Sequence, residues 1–253
     1  MKKLTALRLF GACLFLFCFC TTQSIAQEEW QQLNAQVLQS IEEGTYQTAL
    51  ADALIAEELA KNTFGQAHPN YVCSLHNLAA VYHKLGQSEL ARSRYLQSMK
   101  IAAGKLAKDH LVFSISQYRL ADLYQAMGNY QKANFLYQKA LPQLAQTVGA
   151  EHLHYVHCLN SIGTLYHKMG QLQEAEAYLL KSLQLLGDDA ELSGVYAGGL
   201  NDLANLYKDT WRYAEAEHLY QKALQLRAEH IGQNHPLYAD NLNDLAKLYE
   251  LKG

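Results

Sequence analysis

The stretch His152-Leu153-His154-Tyr155-Val156-His157 sets three imidazoles within six residues. Imidazole is the commonest zinc ligand and the side chain best suited to proton transfer near neutral pH. Placed on a helix that begins at this point, His152 takes the capping position, while His154 and His157 project elsewhere around the axis. That is not a convergent ligand spacing, so no metal is expected there. Nucleophilic chemistry is equally poorly served. Outside the first 26 residues the cysteines are Cys73 and Cys158, both inside helical patterns and expected to be small buried hydrophobes rather than a bridged or reactive pair. No glycine-rich phosphate loop, no G-x-S-x-G and no H-E-x-x-H occurs. The sequence therefore predicts a protein that is not an enzyme, with no cofactor and no metal.

Bulk properties exclude more. A formal charge of −3 over 253 residues gives no electrostatic case for nucleic acid, and no polybasic run suggests a membrane surface. Residues 1–26 read as an export signal. Lys2, Lys3 and Arg8 precede an uncharged apolar run from Leu9 to Cys20, and Ser24 and Ala26 are spaced for cleavage between Ala26 and Gln27. Removing this segment shifts the formal charge to −6. The expected location is the periplasm, the cell surface or the medium, with membrane contact only through export or an undetected anchor. A twelve-residue apolar run is short for a spanning helix.

The elements that position the remaining polar residues come from an internal repeat. The tyrosines of a recurring Leu-x-x-Tyr, Tyr82, Tyr124, Tyr166, Tyr207 and Tyr249, are 42, 42, 41 and 42 apart. Four residues after each stand Gly86, Gly128, Gly170, Trp211 and Gly253, and five further on Ala91, Ala133, Ala175 and Ala216. Histidines head the units at His68, His110, His152 and His235. One shared period across independent markers means stacked repeats rather than a closed globule. Each unit reads as two helices. Val72, Leu75, Leu78, Ala79 and Tyr82 form one apolar stripe ending at Gly86, and Leu90, Ala91, Tyr95 and Met99 form the next. In "GQAHP" (65–69) and "GQNHP" (232–236), proline sits at a first helical position, which makes the histidine the N-cap. Units are expected to start near 68, 110, 152 and 193, with a half unit from 235. Residues 27–67 form a worn first repeat, since Gly44 and Ala49 are in register but Ser40 replaces the tyrosine. Irregularity is expected over 140–200, from Pro142, from "GDDAEL" (187–192) and from Gly198-Gly199.

The pattern "LNDLANLYKDTWRYAEAEHLYQKALQLRAEHIGQNHP" (200–236) resembles the tetratricopeptide repeat (TPR) of the 42-residue kinesin-light-chain type, and the resemblance extends over 68–253. It implies an all-α, right-handed α-solenoid of helix-turn-helix repeats that binds a protein or peptide, of unspecified identity, on a concave groove lined by the first helices. Two positions before each Leu-Ala pair are expected to be exposed there: His76-Asn77, Tyr118-Arg119, Asn160-Ser161, Asn201-Asp202 and Asn243-Asp244. Asp122, Thr164 and Asn205 are expected further along, then His83, Gln125, His167 and Lys208. Asparagine carries both donor and acceptor, so a row of them suits an extended peptide backbone. On that reading, replacing Asn160, Asn201 and Asn243 with alanine abolishes capture and leaves folding intact. With Arg119 and Lys208 outweighed by Asp122, Asp202 and Asp244, a neutral or basic segment is expected rather than a C-terminal carboxylate.

Similar bacterial proteins often carry such repeats ahead of a CHAT-type protease or signalling domain, which makes a truncated multidomain protein the alternative reading. The last stretch, "HPLYADNLNDLAKLYELKG" (235–253), keeps Leu242, Leu245, Ala246 and Tyr249 as a working repeat does. It is expected to be the first half of a further unit, cut short of its natural array.

Overall fold

In the computed structural model the described residues are 24–106, 111–186 and 193–253. They are helical hairpins, with no strand among them. The first 23 residues, and with them most of the expected export signal, lie outside the described residues, as do His110 and 187–192. The chain divides into two compact units between Leu106 and Ala107. The sequence led us to expect irregularity later, at 140–200.

The first unit holds α1 (24–42), α2 (Tyr46–Phe64), α3 (Pro69–Lys84) and α4 (Ser88–Ile101), which ends in a π-helical turn, Ala102–Leu106. Trp30 and Leu33 of α1 pack with Ala56, Ala60, Tyr71 and Leu75, and Val37 packs with Ala49, Ala53, Leu78 and Val81. Alanines at 49, 53, 56 and 60 make the buried stripe of α2 flat, so its neighbours approach closely. The Trp30 indole N–H donates to Ser74 Oγ at 2.8 Å, so this buried ring keeps its polar atom satisfied.

The second unit holds α5 (Leu111–Ala126), α6 (Tyr130–Thr147), α7 (Leu153–Lys168), α8 (Leu172–Leu186), α9 (Ser193–Asp209), α10 (Tyr213–His230) and α11 (Pro236–Lys252). Each helix packs on the next, and the first helices also touch one another: α5 with α7, α7 with α9, α9 with α11. Within this unit the first-helix side is therefore the inner one. The core alternates leucines of first helices (Leu120, Leu123, Leu159, Leu165, Leu203, Leu206) with Ala133, Tyr137, Ala175, Leu179, Ala216 and Tyr220 of second helices. Each such leucine or tyrosine contributes about 1.5–3 kcal/mol by leaving water.

Helix ends follow the sequence signals. The Nδ1 atoms of His68, His152 and His235 accept from the backbone N–H of Asn70, His154 and Leu237 at 3.2, 3.2 and 3.1 Å, which makes all three N-caps. At the hairpin turns Gly44, Gly86, Gly128 and Gly170 have φ between 73° and 76°, the left-handed region that a tight helix stop requires. The next N–H reaches back to the carbonyl of the motif tyrosine, or of Ser40 in the first turn, as Gln171 does to Tyr166 at 2.9 Å. In the turn between α9 and α10 Arg212 makes the same bond to Tyr207 at 2.8 Å, but the left-handed residue is Trp211, at φ 66°. A side chain there costs about 1–2 kcal/mol relative to glycine.

Of the three expected sources of irregularity, 187–192 lie outside the described residues, and the other two are Pro142 and Gly198-Gly199. α6 runs unbroken from Tyr130 to Thr147 with Pro142 inside it. Gly199 is a packing residue: a Cβ there would lie 2.9 Å from Leu183 Cδ2 and 3.3 Å from Asn160 Oδ1. Gly198 has nothing within 4 Å of its would-be Cβ. Gly198→Ala should therefore raise stability by about 1 kcal/mol in urea unfolding, through helix propensity alone. A loss instead would show that α9 needs glycine's freedom at that turn.

Candidate functional site

In the second unit the residues picked from the first helices do share one face, and most of them are tied across it. Asn160 donates from Nδ2 to Asp202 Oδ2 at 2.5 Å, and Asn201 donates to Asp244 Oδ2 at 3.2 Å. Gln125 Nε2 donates to Thr164 Oγ1 at 2.9 Å, and His167 Nε2 lies 2.9 Å from Asp209 Oδ2. Asn205 joins Asp244 at 3.4 Å and accepts from Tyr220 Oη at 2.8 Å and Lys208 Nζ at 3.0 Å. These are rungs between consecutive first helices. In the first unit Asn77 Nδ2 donates to Asn34 Oδ1 at 2.5 Å in the same manner.

The rungs correct the expectation of a row of exposed, uncommitted asparagines. Asn77, Asn201 and Gln125 are buried, and Tyr118 is fully buried. Of the expected groove residues only Asn243, on α11, is exposed. The physical reason is the close approach of neighbouring first helices, which covers these positions and leaves each amide no better partner than the next repeat. Tyr118 Oη pairs with His154 Nδ1 at 3.0 Å. Replacing all three asparagines would therefore not leave folding intact, because Asp202 would lose its principal donor.

Around the rungs, Tyr137 Oη donates to Asp122 Oδ1 at 2.6 Å and to Gln125 Oε1 at 3.0 Å. Arg119 pairs with Asp122 at 3.4 Å and its guanidinium lies 5.0 Å from the Tyr118 ring centre. Ser161 is half-buried, its carbonyl accepting from Thr164 Oγ1 at 2.9 Å. In the first unit His76 is half-buried against the Tyr95 ring, 5.5 Å between centres, and His83 is half-buried near the end of α3. Ala26 and Gln27 lie in the first turn of α1, and Gln27 Oε1 accepts from Asn70 Nδ2 at 2.8 Å.

Burial sets the electrostatics. It pushes the Asp202 carboxyl up to about 6 against the opposing pull of the Asn160 amide, Arg227 and Lys168. At Asp244 burial also pushes upward, but donation from Asn201, Lys247 and Asn205 leaves it below the usual carboxylate range. His154 is held down to about 4, first by burial and then by Arg119 and His152, so it is neutral at physiological pH. Burial pushes the Cys73 thiol up to about 11 and Cys158 well above its ordinary value, so both stay protonated, and both are free. Among the described residues no group of three or more His, Cys, Asp or Glu is placed to hold a metal ion.

Sequence reasoning missed the acceptors Asn34 and Asp209 and the donating hydroxyls of Tyr137 and Tyr220. The signal was present as an Asn followed 42 or 43 residues later by Asp, at 160/202 and 201/244.

The family model described as tetratricopeptide repeat matches residues 34–103 and 113–187, and a second with the same description matches 197–237. The chain belongs to the tetratricopeptide repeat family. Solved TPR-like structures agree on the fold. BtubC (BKLC) from P. vanneervenii superposes with a TM-score of 0.60 at 20% identity, over 85% of this chain and 92% of that one. A putative kinesin light chain from Podosopora anserina with nearly identical TPR-like repeats gives 0.57 at 24%, over 79% and 96%. NprR in complex with its cognate peptide NprX gives 0.68 at 20%, over 90% of this chain and 61% of that one. At these identities the likeness shows the fold: an all-α solenoid of helix-turn-helix TPR units. No curated protein sequence matches the chain significantly.

Proposed function

We propose that the chain is a non-catalytic binding scaffold that holds an extended peptide along the first-helix face of the second unit. The observation that carries this reading is the ladder itself. Hydrogen bonds from α5 to α7, α7 to α9 and α9 to α11 fix one continuous polar strip before any partner arrives. A face whose side chains are already ordered loses less entropy on binding, which is the main saving open to a shallow surface. NprR, a protein of this fold, is described with a cognate peptide bound, which supports the same use. Half-buried Arg119, Ser161, His167 and Lys208 and the exposed Asn243 are the groups the strip presents to a ligand. Asp122, Asp209 and Asp244 favour a neutral or basic segment over an acidic one.

Ser161→Arg tests the strip, because arginine is the residue that α5 carries at the equivalent place, Arg119. With extended peptides selected from a displayed library, fluorescence anisotropy should show about a tenfold or greater loss of affinity at unchanged melting temperature. Unchanged affinity would move the binding surface elsewhere. Export is part of the same proposal. The reading of residues 1–26 as a signal requires a mature protein beginning at Gln27, which mass measurement of protein recovered outside the cytoplasm decides. Among the described residues no helix is long and apolar enough to cross a membrane.

A further inference from the structure

On the second-helix side of the second unit, Tyr166 lies between second helices α6 and α8, and Tyr207 between α8 and α10. Between α6 and α8 the groove is filled by the protein itself. The Tyr178 ring stacks on Tyr166, with centres 5.4 Å apart and planes at 28°, and Gln138 Nε2 reaches the Tyr166 hydroxyl at 3.5 Å. Between α8 and α10 the floor is Tyr207, and the filling residues have changed. In register, Leu219 stands for Tyr178, Leu180 for Gln138, His218 for Ala177, Arg212 for Gln171 and Trp211 for Gly170. With leucine in place of that ring, an open groove of about 510 Å³ remains, lined by Leu180, Leu203, Tyr207, Arg212, His218 and Leu219 among others.

Its mouth is rigidly built. The Arg212 guanidinium carbon lies over the buried Tyr207 ring, 3.6 Å from its centre. It is held there by Glu176 Oε1 at 2.7 Å and Glu215 Oε1 at 2.9 Å, and Tyr207 Oη donates to the same Glu176 oxygen at 2.8 Å. Beside Arg212, Trp211 is 78% exposed in a backbone conformation that the other hairpin turns assign to glycine, with its ring 5.9 Å from that of Tyr213. Strained, exposed aromatic residues concentrate at binding sites, and this one directly precedes Arg212, which lines the groove.

We propose that the groove between α8 and α10 receives the aromatic side chain of a partner polypeptide, a phenylalanine or tyrosine ring stacked on the Arg212 guanidinium between the two second helices, as Tyr178 is stacked on Tyr166 in the preceding groove. The internal copy supplies a precedent: a ring between alanine-spaced second helices, lying there on Tyr166 itself and here on the guanidinium that covers Tyr207. Leu180, Leu203 and Leu219 give the ring apolar walls, and the planar guanidinium of Arg212 gives it a cationic face to stack on. A volume of about 510 Å³ is several times what one ring needs, by comparison with the roughly 150 Å³ cavity that holds benzene, so neighbouring backbone fits as well. The site lies apart from the first-helix strip and does not depend on it.

The probes are N-acetyl-tyrosinamide and N-acetyl-phenylalaninamide, titrated into the full chain and followed by methyl resonances of Leu180 and Leu219 and the Trp211 indole. Saturable binding in about the millimolar range is expected for a single side chain. Leu219→Tyr, which restores the residue of the filled groove, should weaken it at least tenfold without lowering the melting temperature. Trp211→Gly, which restores the common turn, should raise the melting temperature and weaken binding about threefold. Equal affinity in wild type and both variants overturns the proposal, as does the absence of saturation. N-acetyl-leucinamide binding as tightly as the aromatic probes overturns the aromatic assignment.

Discussion

Gly163→Ala is expected to destabilise the second unit by about 1–2 kcal/mol, although alanine is the better helix former by about 1 kcal/mol. A Cβ at Gly163 would lie 2.6 Å from Leu179 Cγ and 3.3 Å from the Ala175 carbonyl oxygen. Leu179 is fully buried, so its branch point has nowhere to retreat. The other repeats solve the same contact differently. Ala79, Ala121 and Ala204 stand where Gly163 does, and Tyr95, Tyr137 and Tyr220 stand where Leu179 does. A flat ring passes over a methyl group, whereas a branched side chain needs the bare backbone. Leu179→Tyr in the same chain should therefore recover much of the loss, with a favourable coupling of about 1 kcal/mol or more in a double-mutant cycle measured by urea unfolding. Simple additivity of the two changes would show that the contact is not the reason for the glycine.

Asp202→Asn is the substitution expected to stabilise most, and only above a certain pH. The folded carboxyl titrates at about 6, above its ordinary 3.8, because burial disfavours the charge. Between those values the native state holds a proton that the unfolded chain has released, so stability falls as pH rises through that window. Above about pH 7 the full cost applies, roughly 2–3 kcal/mol from a shift of about two units. Asparagine keeps an acceptor for the Asn160 amide and carries no charge. The variant should match the wild type near pH 4 and exceed it by roughly 2 kcal/mol at pH 8 in unfolding midpoints. A pH-independent difference would locate the effect in packing rather than in ionisation.

The sequence carried the helical plan in full detail where local chemistry dictates it. Glycine before His-Pro announces a capped helix start, and the 42-residue return of tyrosine, glycine and alanine announces the hairpins. What it left open was the fate of the polar positions. Asn160 and Asn201 read as free peptide hooks because their partners, Asp202 and Asp244, stand 42 and 43 residues away and meet them only when first helices stack. Gly199 read as a weakness, since a closeness to Leu183 cannot be inferred from a helix considered alone. Trp211 was visible as a break in the glycine series, but the empty groove beside it depends on Leu219, an ordinary apolar residue in an ordinary helical stripe. Departures of this kind become legible only when each repeat is measured against its neighbour in space.

The rungs also give the repeats an address. In the second unit each of the Gln125, Asn160 and Asn201 rungs has its amide donor on the earlier helix and its oxygen acceptor on the later one. α5 presents Tyr118, not asparagine, at the place from which Asn160 serves Asp202. Set directly before α9, it would leave that half-enclosed carboxylate without its donor. The hairpins share one outline, yet they are not interchangeable bricks. Shuffled in order, the same modules would carry the same cores and the wrong seams, so the succession of repeats is itself part of what the molecule encodes.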